Sequence, residues 1–111
     1  MNIADTLSGA TRVIAILGDP IAQVKSPSGV TQRLIDRGVN AVVIPIHVTP
    51  ADLAGFIQGL SLARNVDGLI LTVPHKLETY RLCATATERA HFLEGVNVMR
   101  RNANGSWHGD H

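Results

Sequence analysis

Apolar runs of strand length alternate with amphipathic stretches of helical spacing along most of the chain. Val13 to Leu17 (VIAIL) is an unbroken apolar run, and Gly18, Asp19 and Pro20 turn it into a loop, the pattern of a buried strand. Ser26 then stands as an N-cap ahead of Pro27 at the first helical position. Val30, Leu34 and Ile35 are the core-facing positions of that helix, and Gly38 stops it. Ala41 to Val48 (AVVIPIHV) reads as a second strand, and Pro45 inside it predicts an edge position or a bulge. Thr49, Pro50 and Asp52 signal another helix start, with Asp52 where a capping box puts its acid. Leu53, Phe56, Ile57 and Leu60 fall at i, i+3, i+4 and i+7, the stripe of a helix packed on a sheet. Gly68 to Val73 (GLILTV) has the continuous apolar character of a strand covered on both faces. Pro74 ends its ladder, and Lys76 to Cys83 (KLETYRLC) is spaced as a short helix.

Beyond Cys83 the elements shorten. Thr87 can cap a helical stretch, ERAHFLE, that Gly95 ends. Val96 to Arg100 (VNVMR) reads as a strand, and the turn NANG at Asn102 to Gly105 leads into Ser106 to His108. These elements predict an α/β fold, a three-layer α/β/α domain with a mostly parallel sheet and a C-terminal antiparallel hairpin. Residues 1–11 read as a loose N-terminal leader and 12–111 as the domain. No repeat, linker or low-complexity segment interrupts it.

Composition narrows the partners. A length of 111 residues gives one domain, small for holding both a cofactor and a substrate. Ten basic and nine acidic residues leave a formal charge of +1, with the basic residues scattered, so no nucleic-acid footprint is present. Cys83 is the single cysteine, which excludes an intrachain disulfide, reads as a small buried hydrophobe in a helix and fits a reducing, cytoplasmic setting. The first residues carry no early Lys or Arg and no long apolar run, so neither a signal peptide nor a membrane partner is expected.

Several chemistries fail on residue grounds. Val24 precedes Lys25 and Ser26 where a phosphate loop needs glycine, so converging N–H groups are not provided. GxGxxG and GxSxG are absent, and the histidines at 47, 75, 91, 108 and 111 show no metal-ligand spacing. The strongest signal is TVPHK at Thr72 to Lys76. It sets one of only two lysines at a helix start beyond the carboxyl end of a central strand, where open α/β sheets bind ligands.

GDPIAQVKSP from Gly18 to Pro27, GLILTVPHK from Gly68 to Lys76, EGVNVMRR from Glu94 to Arg101 and NGSWHGD from Asn104 to Asp110 together resemble the shikimate/quinate dehydrogenase family, in its order and spacing. The resemblance runs from about Arg12 onward and covers only the N-terminal, substrate-binding lobe. In that family a Rossmann-type lobe carrying NADP or NAD follows, and this chain lacks it. The resemblance implies that Lys76 is catalytic, exchanging a proton with the hydroxyl that becomes a ketone. A helix start and partial burial both disfavour its ammonium, which suits proton transfer. It implies that Ser26 holds the substrate carboxylate and that Thr72 and Asn97 touch the carboxylate or ring hydroxyls. Read without it, Ser26 is a helix cap, Thr72 a plain strand residue, Asn97 a strand-end residue satisfying backbone groups and Lys76 a surface lysine.

Three departures qualify the match. Val24 stands where the family usually has the first serine of an SxS pair, and Ile70 where it usually has the asparagine of NVT. Each lost hydrogen bond to a buried ligand is worth on the order of 1 kcal/mol or more, so the substrate could be quinate or another cyclic hydroxy acid rather than shikimate. The third is the family's catalytic aspartate, expected about two residues beyond His111, with Asp110 near but out of register. Two functions follow. One is the substrate-binding lobe of an oxidoreductase that interconverts a cyclic hydroxy acid and its keto form with NAD(P), inactive and without bound cofactor in this form. The other is a stand-alone, non-catalytic binding or regulatory domain for such an acid. The implied partners are the small acid and the missing Rossmann-type domain, with a homodimer left open.

Overall fold

The computed structural model describes residues 3–22, 27–72 and 75–111. The strands are β1 (Arg12–Gly18), β2 (Ala41–His47), β3 (Val66–Leu71), β4 (Thr85–Ala86), β5 (Val98–Arg101) and β6 (Trp107–Asp110). They form one six-stranded sheet in the order β2-β1-β3-β5-β6-β4. The helices are α1 (Ile3–Thr6), α2 (Pro27–Asp36), α3 (Leu53–Leu60), α4 (Lys76–Arg81) and α5 (Glu88–Leu93), and a 3-10 turn at Pro50–Asp52 precedes α3. β1 runs parallel to both β2 and β3, β5 runs antiparallel to β3 and β6, and β4 is parallel to β6.

In-register residues share a face of a sheet, so the register assigns the layers. Ala15 pairs with Leu69, Leu17 with Leu71 and Leu69 with Met99. All five side chains are buried in one cluster with Leu53 and Ile57 of α3 and Ala90 of α5, and Phe56, Leu60 and Tyr80 pack against it. That face is therefore the main core. Its largest members, Leu17, Leu53, Leu69 and Met99, are fully buried, and each contributes roughly 1.5–3 kcal/mol of transfer free energy. The opposite face carries Ile14, Ile16 and Val43, and α2 packs on β2 there. Ile16 and Val43 are buried, whereas Ile14 and Ile70, further from α2, are half-buried and Val98 is exposed. The run through Ile70 reads as apolar on both sides, but its second face is only partly covered because α2 does not reach beyond β1.

Pro45 lies in a strand at the end of the sheet order, as its missing N–H requires. Thr31 of α2, 4% exposed, reaches the same strand, and its hydroxyl oxygen accepts from Val43 N at 2.9 Å. Val30, Leu34 and Ile35, the positions expected to face the core, are half-buried because α2 overlies an outer strand. Gly38, with φ 77°, takes the left-handed conformation that closes α2.

Several local expectations need correction. Asp52 does not close a capping box: its carboxylate accepts from Thr49 Oγ1 at 3.2 Å, and it makes no side-chain cap to α3. The chain enters α3 through the 3-10 turn instead. α5 is capped by Thr87, whose Oγ1 accepts from Ala90 N at 3.2 Å. It ends at Glu94, in the left-handed region at φ 50°, one residue before the expected Gly95. Cys83 lies beyond α4, which stops at Arg81, and is half-buried. The stretch read as a leader holds the turn α1 against α2. Thr11 anchors its end, donating to Asn40 Oδ1 at 2.9 Å and accepting from Ser8 N at 3.0 Å. Pro74 lies outside the described residues.

Candidate functional site

The carboxyl ends of β1, β2 and β3 lie side by side. Gly18 closes β1 beside His47 of β2, its partner in the parallel register. Thr72 follows β3, and its N–H donates to Leu17 O at 2.9 Å, carrying the β1–β3 ladder one step past the strand. A Cβ built on Gly18 would overlap Thr72 Cγ2, so the threonine side chain leans over the glycine. On the other side of β3, Leu71 N donates to Asn97 O and Asn97 N to Asp110 O, both at 2.9 Å. These bonds occupy the Asn97 backbone. Neither the Thr72 hydroxyl nor the Asn97 amide has a side-chain hydrogen bond among the described residues, and both residues are half-buried.

Lys76 is the first residue of α4, directly after this row, as the apolar run and its terminator require. The preceding His75 locks the turn. It is 1% exposed, its Nε2–H donates to Val48 O at 2.6 Å, and its N–H donates to Thr72 O at 3.0 Å. Thr79, fully buried, donates its hydroxyl to His75 O at 2.5 Å from the next turn of α4. The start of α4 is thereby tied to the end of β2 as well as to β3. Nδ1 of His75 is buried without a partner among the described residues. Nothing in periodicity distinguishes this histidine from an exposed one; its place between a strand end and a helix start was the available signal.

Of the residues expected at the site, Thr72, Asn97 and the backbone of Lys76 are brought to one edge of the sheet. Ser26 and Val24 lie outside the described residues, while the helix they precede starts at Pro27. Asp110 is engaged elsewhere: its Oδ1 accepts from Thr87 Oγ1 at 2.9 Å and from His111 N at 2.7 Å. Those bonds hold its carboxyl below the usual aspartate range. A second pair missed from sequence stands next to Gly18. Asp19 Oδ1 and His47 Nε2 are 2.5 Å apart, on side chains that are 31% and 54% exposed. Among the described residues no group of three or more histidine, cysteine, aspartate or glutamate side chains could hold a metal ion, and no helix is long and apolar enough to cross a membrane.

Residues 16–99 match the family described as the shikimate dehydrogenase substrate binding domain. A shikimate dehydrogenase (NADP(+)) of Microcystis aeruginosa is 34% identical over 103 residues, which are 93% of this chain and 35% of that protein. A crystal structure of a shikimate dehydrogenase in complex with NADP+ superposes with a TM-score of 0.86 at 27% identity, covering 94% of this chain and 36% of the other. Shikimate 5-dehydrogenase from Listeria monocytogenes, solved with shikimate and NAD, shares the fold with a TM-score of 0.86 at 22% identity, over 94% and 35% of the two chains. The chain thus spans about a third of the length of the curated relatives it matches. A parallel β1–β3 core, a TVPHK run feeding α4 and a family match over residues 16–99 lead to one assignment: this chain belongs to the shikimate dehydrogenase substrate-binding domain family.

Proposed function

We propose that this chain binds a cyclic hydroxy carboxylic acid of the shikimate or quinate type at the carboxyl edge of β1 and β3, as the substrate lobe of an NAD(P)-dependent oxidoreductase. The observation that carries the reading is the pairing of open polar groups at that edge. The Thr72 hydroxyl, directly after β3, and the Asn97 amide, in the residue paired with Leu71 at the end of β3, stand unpartnered among the described residues. Half-buried polar groups left without partners are costly unless water or a ligand meets them.

In this reading Thr72 and Asn97 hold ring hydroxyls or the carboxylate, Ser26 holds the carboxylate, and Lys76 exchanges a proton with the hydroxyl that becomes the ketone. NADP is favoured over NAD, because the curated relatives are named as NADP(+) enzymes and one solved relative carries NADP+. The cofactor does not fit this domain's own β1–α2 turn, where Gly18, Asp19 and Pro20 lack the glycine-rich N–H cradle of a dinucleotide loop. A separate Rossmann-type domain would hold it, and the cofactor would there supply the hydride acceptor.

The test is an amide NMR titration of the chain with shikimate and with quinate. Shifts confined to residues around Gly18, Thr72 and Asn97 are expected, with weak, millimolar-range affinity. No response to either acid at millimolar concentrations overturns the reading. In a full-length enzyme, Lys76→Ala is expected to keep substrate binding and to collapse kcat; surviving turnover would remove Lys76 from the chemistry.

A further inference from the structure

We propose that the cleft at the amino ends of β1 and β3 is a second ligand site, for an organic anion that carries a phosphate group on an apolar body. Arg12 begins β1, Val66 begins β3 and Arg101 ends the antiparallel β5, so the three meet at the end of the sheet opposite Thr72 and Asn97. The cleft there measures about 680 Å³, and its charged lining is Arg12, Arg64, Arg101 and Asp67. Three guanidinium groups therefore share it with one carboxylate.

That carboxylate is already matched. Its two oxygens accept from Arg12, from Nε at 2.9 Å and from Nη2 at 2.5 Å, a bidentate pair that accounts for one positive charge. Arg101 has no carboxylate hydrogen bond among the described residues. Its Nε, Nη2 and Nη1 donate instead to Val66 O, Ala63 O and Gly105 O, at 3.1, 3.1 and 2.8 Å. A guanidinium has about five N–H groups, so these bonds leave one free on each terminal nitrogen. The guanidinium carbon also lies 4.0 Å from the centroid of the Trp107 ring, and the group is thus held in place before a ligand arrives. Arg64 is exposed, and its side chain has no hydrogen bond or ion pair among the described residues. Its carbonyl accepts from Arg12 Nη2 at 2.7 Å, which fixes its backbone at the rim.

Two positive charges remain unmatched in a concave space, which concentrates their field on an entering anion. A phosphate monoester brings a charge of about −1.5 to −2 at pH 7, and its oxygens suit the fork of a guanidinium. Leu62, 82% exposed, supplies an apolar wall of the same cleft and calls for an apolar body behind the phosphate. The site shares no residue with the edge that holds Thr72 and Asn97, so the two stand or fall separately.

The experiment is an amide and indole NMR titration of the chain with phenyl phosphate, inorganic phosphate and phenol. Phenyl phosphate is expected to bind saturably and to shift residues 61–67, residues 101–105 and the indole N–H of Trp107, the single tryptophan, which donates to Ser61 Oγ at 2.7 Å in the cleft wall. Inorganic phosphate is expected at the same residues with lower affinity, and phenol is expected to leave them still. Arg64→Gln should weaken phenyl phosphate about tenfold, whereas Arg37→Gln, which removes the same charge from an exposed position after α2, should change it less than about twofold. Equal effects of the two variants would reduce the binding to general charge attraction and overturn the site, as would phenyl phosphate shifts that do not saturate or that lie elsewhere. Inorganic phosphate binding as tightly as phenyl phosphate, or phenol moving the same residues, overturns the assigned ligand class.

Discussion

Gly18 and Thr72 meet across the end of the β1–β3 pair so closely that no side chain fits at position 18. The conflict would be with a β-branched side chain next to the backbone, which cannot swing away as a long flexible one could. Gly18→Ala should therefore push Thr72 off its place. The expected cost is about 1–3 kcal/mol in urea unfolding, with shikimate affinity lowered on the order of tenfold in the same titration. Wild-type stability and affinity in this variant would show that Thr72 does not depend on the glycine.

Thr31 is a buried polar residue in a helix whose apolar neighbours are only half covered. Its hydroxyl oxygen is the acceptor for Val43 N. Thr31→Val keeps the shape and removes the acceptor, so a buried N–H is left unsatisfied. A loss of roughly 1–3 kcal/mol is expected by denaturant unfolding, together with faster hydrogen exchange at Val43. Unchanged protection at Val43 would mean that another acceptor serves it.

Arg12 donates from Nε at 2.9 Å to Asp67, and the hydrogen bond holds the Asp67 carboxyl below its usual range. A lowered folded value means that the pair contributes stability above the unfolded aspartate pKa, about 3.9, and loses it as pH falls through the folded value. Both side chains are nearly half-exposed, so the contribution is small and weakens with salt. Asp67→Asn should be slightly less stable than wild type at pH 7. The difference should close in strong acid, followed by thermal unfolding from pH 7 to pH 2. A gap that persists at pH 2 would assign the effect to packing.

Burial pushes the Cys83 thiol up to about 11. The thiolate is the reactive form, so a disulfide reagent at pH 8 should label native protein slowly and urea-unfolded protein at the rate of a free cysteine. Fast labelling in the native state would indicate that the segment after α4 opens readily.

The strand-helix rhythm was legible because β1, β2 and β3 are runs of mostly apolar residues followed within a few positions by Gly or Pro, and α3 shows its stripe at Leu53, Phe56, Ile57 and Leu60. Pro45 announced an outer strand because a missing donor is tolerated there. Glu94 in place of Gly95 was not legible, since a left-handed stop is set by how the helix end meets its neighbours and a non-glycine residue can bear it. Nor was β4: Thr85 and Ala86 are too few for a periodicity, and they become a strand only by pairing with His108 and Gly109. At the site, the meeting of Thr72, Asn97 and the start of α4 came through recognisable motifs. His75 and the Asp19–His47 pair did not, because their partners are Val48 O and a loop carboxylate distant in sequence.

The outward donors of β2 are largely spoken for. Ala41 N binds Val39 O, Val43 N binds Thr31, and Pro45, the next residue of the same parity, has no N–H to offer. An incoming strand would find no free N–H to accept from along that flank before His47. The missing donors thereby guard that margin against growth copy upon copy into fibrils.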